Sequence, residues 1–526
     1  MSDGAMKTDG AAEADGNATP GAGAGERGEE RRGRSAAGDE VQAAAAAPEP
    51  RDEFVTTRHT LVHPGGEFAY TARAGRVVLR QDHVEDGVWK GRVAKAQLTI
   101  TAYTADGADP RTRPVAFAFN GGPGSSSVWL HMGVLGPRRV VMGDAGALLP
   151  PPYGLADNPD SLLAESDLVF IDPVSTGGSR VVTDGKPSEF HGFTADIESV
   201  GEIIRQWVTA EGRWLSPKFL IGESYGTTRA AGLVHHLQGE HGMYFNGLML
   251  VSAILDFGTE NFEHGGDRAH ALYLPFYAAT AHYHGLHEGR TLQEVVDEAA
   301  AYAARDYPYV LARGSRLSQA ERREAVATVA RLAGLSEDYV DRADLRIEHW
   351  RYFGELLRGR GLSAGRLDSR FTGPAASGIA EHMDADPSMD AILGPYAAAF
   401  QHYLHHELGV RDASPYRVFG KGVIEEWSYK EFENSPVYVV DRLSRAMRQN
   451  PHLGVHFAYG YYDGATPFSC AEDSVARLRI PASMREKLEH RYYEAGHMMY
   501  VHEPSRLAQC ADLADFVRRR SARAEG

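Results

Sequence analysis

The stretch Phe219-Leu-Ile-Gly222-Glu-Ser224-Tyr-Gly226-Thr-Thr-Arg-Ala-Ala-Gly-Leu-Val234 joins an apolar run to a helix-prone run through Gly-x-Ser-x-Gly. A strand that turns this tightly into a helix strains its central residue, which only small neighbours tolerate. It also aims the serine hydroxyl out of the sheet beside a helix N-terminus. The bare pattern fits a chance glycine-rich turn as well; the strand before it and the helix after it favour Ser224 as a nucleophile. Neighbouring runs support the same architecture. Asp167-Leu-Val-Phe-Ile171, Gly247-Leu-Met-Leu-Val251, Val437-Tyr-Val-Val440 and Val455-His-Phe-Ala458 are uniformly apolar, as parallel strands buried on both faces are. Ile197, Val200, Ile204, Trp207 and Val208 recur at helical spacing between two of them, which completes a βαβ unit and predicts an α/β fold.

A serine hydroxyl attacks poorly until a histidine takes its proton and a carboxylate orients that histidine. Tyr459-Gly-Tyr-Tyr-Asp463-Gly-Ala-Thr-Pro467 follows one apolar run, and Glu494-Ala-Gly-His497-Met-Met499 follows His490-Arg-Tyr-Tyr493. Both stretches read as loops at strand ends, where α/β sheets gather their ligand sites. Among 23 histidines, position and order single out His497, with Asp463 as its partner. His282-x-His284-x-x-His287 and His402-x-x-His405-His406 have spacings that could hold zinc, but they lie in a polar region without cysteine partners, so no metal is expected. Asn120-Gly-Gly-Pro-Gly-Ser-Ser-Ser127 follows the run Val115-Ala-Phe-Ala-Phe119. Its rival reading is a phosphate loop, which needs a lysine after the glycines that is absent here; backbone N–H groups offered to an oxyanion suit it better, and no cofactor is expected.

Farther out, residues 1–52 are rich in Gly, Ala and Glu and are expected to form a disordered tail, since they cannot bury enough surface to offset ordering entropy. From Phe54 the texture becomes β-type, and the alternating run Ala94–Tyr103 suits a half-exposed sheet edge. The core is expected over residues 53–259 and again over 426–526. Between them, 260–425 is polar and helical, with a capping box at Ser318-Gln-Ala-Glu321 and a closing Gly334, and is expected to form a cap inserted over the sheet.

The 526-residue chain has 43% hydrophobic and 24% charged residues, near the globular average. Its formal net charge of −16 argues against a nucleic-acid partner, because phosphate neutralisation takes clustered Lys and Arg. No run approaches the ~20 apolar residues of a membrane helix. The first 30 residues hold no apolar stretch of signal-peptide length, so a cytoplasmic location is expected, with export by another route left open. Two cysteines, Cys470 and Cys510, are too few for a disulfide framework, although one bridge stays possible.

Taken together, Asn120-Gly-Gly-Pro-Gly-Ser-Ser-Ser, Gly222-Glu-Ser-Tyr-Gly, Gly460-x-x-Asp463 with Thr466-Pro467, and Ala495-Gly-His497-Met resemble the serine carboxypeptidase family, peptidase family S10. Ile171-Asp-Pro-Val-Ser-Thr-Gly-Gly-Ser179 resembles the segment that family carries between its glycine loop and its elbow. The motifs run in family order from about 115 to 500, and the expectation of no signal peptide resembles bacterial members. The resemblance implies an α/β-hydrolase fold with a mainly helical cap. It implies a serine-type carboxypeptidase acting on peptides with a free C-terminus, in which Ser224 attacks, His497 is base then acid, and Asp463 orients it. By the same resemblance the N–H groups of Gly122 and Tyr225 form the oxyanion hole, and Asn120, Gly121 and Glu223 hold the substrate's terminal carboxylate. Met498 is a candidate pocket wall, with ordinary packing an equal reading.

Two positions depart from the family. Ser125 stands where a disulfide-bonded cysteine is common, so that bridge is absent, and Ala118 stands where a Trp is common, which changes the carboxylate pocket's apolar wall. Two other functions compete: an esterase or acyltransferase on small acyl substrates, which the same triad serves, and a catalytically silent binding module, which would need a broken triad or glycine loop. Side-chain preference at the scissile bond and oligomeric state are not legible in the sequence.

Overall fold

The computed structural model describes residues 49–143, 149–263 and 266–522. The tail expected at 1–52 falls outside the described residues up to Pro48, and regular structure begins at Glu53.

The core is one mixed sheet. Its strands are β1 (Glu53–His63), β2 (Gly66–Glu85), β3 (Val88–Ala105), β4 (Val115–Phe119), β5 (Asp167–Ile171), β6 (Lys218–Glu223), β7 (Gly247–Val251), β8 (Gly454–Gly460) and β9 (Leu488–Tyr493). They lie in the order β1-β2-β3-β5-β4-β6-β7-β8-β9, and the short strand Arg180–Val181 pairs with β3 off this path. The first three are antiparallel, β3 meets β5 antiparallel, and every pair from β5 to β9 is parallel. The pleat sorts the uniformly apolar central strands onto two faces. Val115, Phe117, Phe119, Leu220, Leu248, Leu250 and Phe457 enter one apolar cluster, while Ala116, Ala118, Phe219, Ile221, Met249 and Ala458 enter the other. Each fully buried large apolar side chain contributes about 1.5–3 kcal/mol, so a one-residue register slip anywhere in the central strands is strongly disfavoured.

The crossover helix appears as α1 (Phe193–Ala210), whose Ile197, Val200, Ile204 and Trp207 pack on the first face. After the elbow runs α2 (Tyr225–His241). Beyond β7 come cap helices including α3 (Asp267–Tyr283), α4 (Leu292–Arg305), α5 (Gln319–Ala333) and α6 (Pro387–His402), with a small ladder of Leu362–Ala364 against Thr372–Pro374. The Ser318 capping box is formed, and Gly334 closes α5 in the left-handed conformation at φ 70°. Phe276, Tyr277, Val295, Val329 and Phe353 give the cap its own apolar cluster. This is an α/β-hydrolase fold with a mainly helical cap.

One expected strand is not there. Val437–Val440 contributes only an isolated bridge between Tyr438 and Asp256, and Val440 already opens helix α7 (Val440–Gln449). Four apolar residues fit a buried strand and a buried helix start equally, and here the helix that covers α2 wins. Val439 N–H donates to Leu255 O and Phe257 N–H to Val437 O, which satisfies this buried backbone without a strand.

Candidate active site

Ser224 stands between β6 and α2 at φ 60°, ψ −130°, a conformation that costs a non-glycine residue of order 1–3 kcal/mol. Bonds on both sides hold it there: its N–H donates to Val251 O at 3.0 Å, and its carbonyl accepts from Thr227 N at 2.8 Å and Thr227 Oγ1 at 2.7 Å. The flanking glycines are required by close approach. A Cβ on Gly222 would meet Gly226 C at 2.5 Å, and one on Gly226 would meet Phe119 O at 2.8 Å. Ser224 itself is partly exposed.

Asp463 and His497 follow β8 and β9 on loops at the carboxyl end of the sheet. Asp463 is wholly buried. Its Oδ1 accepts the N–H groups of Ala465 and Thr466, each at 2.9 Å, while Oδ2 accepts Thr466 Oγ1 at 2.8 Å and lies 2.9 Å from His497 Nδ1. That carboxylate fixes the proton on Nδ1 and leaves Nε2 as the basic nitrogen. Burial opposes a charged imidazole, but Asp463 and then Glu223 outweigh it, and the His497 pKa is raised above 6.5. Ser252, just past β7, donates Oγ to His497 O at 2.7 Å, while Ser224 N binds Val251 O; the β7 end thus links the serine turn to the histidine loop. Thr466, quoted in the motif without a role, is 3.2 Å from His497 Nδ1 and joins this group. The glycines beside these residues let the two loops touch, since a Cβ on Gly460 would meet Ala495 O at 2.5 Å.

The glycine loop lies against the elbow. A Cβ on Gly121 would meet Glu223 O at 2.8 Å and Gly226 N at 2.9 Å, and would overlap Tyr225 N. Gly122 takes φ 106°. Tyr225 is the first residue of α2, so its N–H is one that a helix start leaves without an intrahelical carbonyl. Asn120 Oδ1 accepts Leu130 N at 3.1 Å, which aims its Nδ2 at Glu223 Oε1, 2.8 Å away. Burial pushes the Glu223 pKa up to about 7 against the opposing pull of His497. Asn120, Gly121 and Glu223 therefore meet beside Ser224.

Three residues of this neighbourhood were missed in the sequence. Tyr500 OH donates to Glu223 Oε2 at 2.6 Å; a buried phenol that closely follows His497 was the available signal, since such a hydroxyl needs a partner. Arg229 on α2 is fully buried, binding Asp196 Oδ2 at 2.8 Å and the Asn120 carbonyl at 2.6 Å; a lone Arg among Ala and Gly after the elbow was its signal. Asp172 Oδ1 accepts Ser127 N at 2.9 Å and Ser127 Oγ at 2.8 Å, so the 171–179 segment anchors the far end of the glycine loop.

The remaining expectations find these places. Met498 is 6% exposed, within the apolar cluster that also holds Trp129, Tyr396 and Tyr500. Ala118 belongs to the same cluster, and Ser125 Oγ accepts Trp129 Nε1 at 2.8 Å where a cysteine is common. His282, His284 and His287 bond the separate carbonyls of Arg290, Ser369 and Leu332, and His405 bonds Val410 O. Among the described residues no three or more His, Cys, Asp or Glu side chains are grouped as metal ligands would be. Cys470 and Cys510 are both free and buried, in different clusters, so they do not pair.

Comparison with known proteins adds a family match. Residues 100–307 match the family described as serine carboxypeptidase. No curated protein sequence matches the chain. Among solved structures, a prohormone-processing carboxypeptidase from Saccharomyces cerevisiae is similar, with 14% identity, a TM-score of 0.54, and coverage of 85% of this chain and 91% of that one. A proline iminopeptidase from Mycobacterium smegmatis also aligns, with 14% identity, a TM-score of 0.35, and coverage of 85% and 99%.

Proposed function

We propose that the chain, whose residues 100–307 match the serine carboxypeptidase family, is a serine hydrolase that releases C-terminal residues from peptides through an acyl-enzyme on Ser224. Ser224 Oγ attacks the scissile carbonyl as His497 Nε2 takes its proton. Asp463 holds the imidazole and stabilises its charged form. The N–H groups of Gly122 and Tyr225 receive the developing oxyanion, where one donor is typically worth about 3 kcal/mol. His497 then protonates the leaving amine, and water repeats the sequence to free the acyl group.

What favours a carboxypeptidase over other serine hydrolases is the carboxyl of Glu223, one residue from the nucleophile and 2.8 Å from Asn120 Nδ2. Two carboxyl groups share a hydrogen bond only when one carries a proton, and burial raises the Glu223 pKa to about 7. Below that pH Glu223 is neutral and donates to the substrate's terminal carboxylate; above it the two anions repel. His497 must be neutral to act as base, so its raised pKa sets the acid limb of kcat while Glu223 sets the alkaline rise of KM. The same shift has a stability cost at high pH. A carboxyl with pKa 4.5 unfolded and about 7 folded contributes stability that is full below 4.5 and is lost as pH climbs through 7.

In Glu223→Gln the amide donates at every pH. The KM for a blocked dipeptide acid is expected to lose its rise above pH 7 while kcat changes little. A wild-type profile and wild-type KM in this variant would remove Glu223 from substrate binding.

A further inference from the structure

Between the two strands of its small ladder the cap sends Arg366–Arg370 down onto the core as a strap. The strap bonds to both loops that carry Asp463 and His497. Gly464 N donates to Arg366 O at 3.0 Å, and Ser369 N donates to Tyr462 O at 3.0 Å, one residue either side of Asp463. On the other loop, His497 N donates to Leu367 O at 2.6 Å, Gly496 N to Asp368 Oδ2 at 3.2 Å, and Arg370 Nη1 to Glu494 O at 2.9 Å.

Asp368 and Arg370 stiffen the strap from within. Asp368 Oδ1 accepts Arg370 N at 3.1 Å and Nε at 2.9 Å, and Oδ2 accepts Nη2 at 2.5 Å. Each residue is only 5% exposed. A buried bidentate pair of this kind holds one geometry, because either charge alone would be strongly penalised. Gly496 is shaped to the strap, since a Cβ there would meet Asp368 Cγ and Leu367 O at 2.5 Å. The strap's outer side is fixed to cap elements: Thr280 Oγ1 lies 2.7 Å from Ser369 Oγ, His284 Nε2 lies 2.8 Å from Ser369 O, and Asp386, which caps α6, accepts Arg366 N at 3.0 Å.

We propose that Asp368 and Arg370 are positioning residues of the reaction, through which the cap sets the separation of the Asp463 and His497 loops and so the aim of His497 Nε2 at Ser224. This rests on the reading of Ser224, His497 and Asp463 as an acyl-transfer triad. The cap then adds its own support, through the strap, to the two loops that follow β8 and β9.

The test is the double variant Asp368→Asn/Arg370→Gln, which removes both charges together and so leaves neither buried alone. A fluorophosphonate probe reports the Ser–His pair whatever the natural substrate. Per folded molecule, labelling is expected to run to completion at a rate lower by on the order of 10- to 100-fold, since small misplacements of reacting groups cost that much. On a blocked dipeptide kcat should fall by a similar factor while KM stays within about twofold, because Asn120 and Glu223 lie at the ends of other strands, β4 and β6. A wild-type labelling rate and kcat in the folded double variant would overturn the proposal. Should the double variant not fold, Arg370→Lys decides: it keeps the charge facing Asp368 but loses the planar fork that also reaches Glu494 O. Slowed labelling in it supports the strap, and a wild-type rate overturns it. Wild-type protein that never labels would sink the triad reading and the strap together. Wild-type protein that labels but frees no amino acid would remove only the carboxypeptidase reading, with the strap still judged by labelling rate.

Discussion

Ser224→Ala is expected to lower kcat/KM on a blocked dipeptide by about 10⁴-fold or more, with KM close to wild type. Alanine occupies the positive-φ turn with no more strain than serine, and the bonds that hold the turn, from Ser224 N to Val251 O and from Thr227 to the Ser224 carbonyl, are all backbone bonds at this residue. Asn120, Glu223 and the Tyr225 N–H, the proposed substrate contacts, keep their places, so substrate is expected to bind as before. Only the attacking oxygen is lost, and what remains is the smaller rate enhancement of an oxyanion hole without a nucleophile. Steady-state kinetics beside a thermal melt would check this, with the melting temperature unchanged.

Asp463→Asn is expected to cost about 10⁴-fold in kcat by a different route. The amide oxygen would take the Oδ1 position, where Ala465 and Thr466 offer N–H donors. Its NH₂ would then face His497 Nδ1, 2.9 Å from the present Oδ2. A donor there forces the imidazole proton onto Nε2, the nitrogen that has to accept from Ser224. The variant should stay folded, bind substrate with a near-normal KM, and label slowly with a serine-directed probe. A kcat within tenfold of wild type would remove Asp463 from the role given to it.

The residues legible in the sequence are those whose constraints are local. Gly222 and Gly226 stand where the strand–turn–helix geometry forbids a Cβ, and Ser318 with Glu321 forms a capping box within one helical turn. Such signals survive without knowledge of the fold. Asn120 and Glu223 became legible through their motifs, and the hydrogen bond between them joins residues from separate strand ends. Tyr500, Arg229 and Asp172 were hidden because each acts on a partner brought near only by the folded sheet. The strap was more hidden still, since Asp368 and Arg370 lie in a polar cap whose texture announces helices, and nothing in Arg366-Leu-Asp-Ser-Arg370 marks it as reaching the core. Val437–Val440 failed for the opposite reason: its apolar run was real and buried, but four residues carry too little periodicity to separate a strand from the start of α7.

The most direct test is a mass-spectrometric digest of one peptide library prepared twice, with free and with amidated C-termini. Wild-type enzyme is expected to shorten the free-acid peptides by single residues from the C-terminus and to leave the amides intact, with no trimming by Ser224→Ala. Equal cleavage of both sets, internal cuts, or turnover of simple esters alone would contradict a site built around Asn120 and Glu223 to hold a terminal carboxylate.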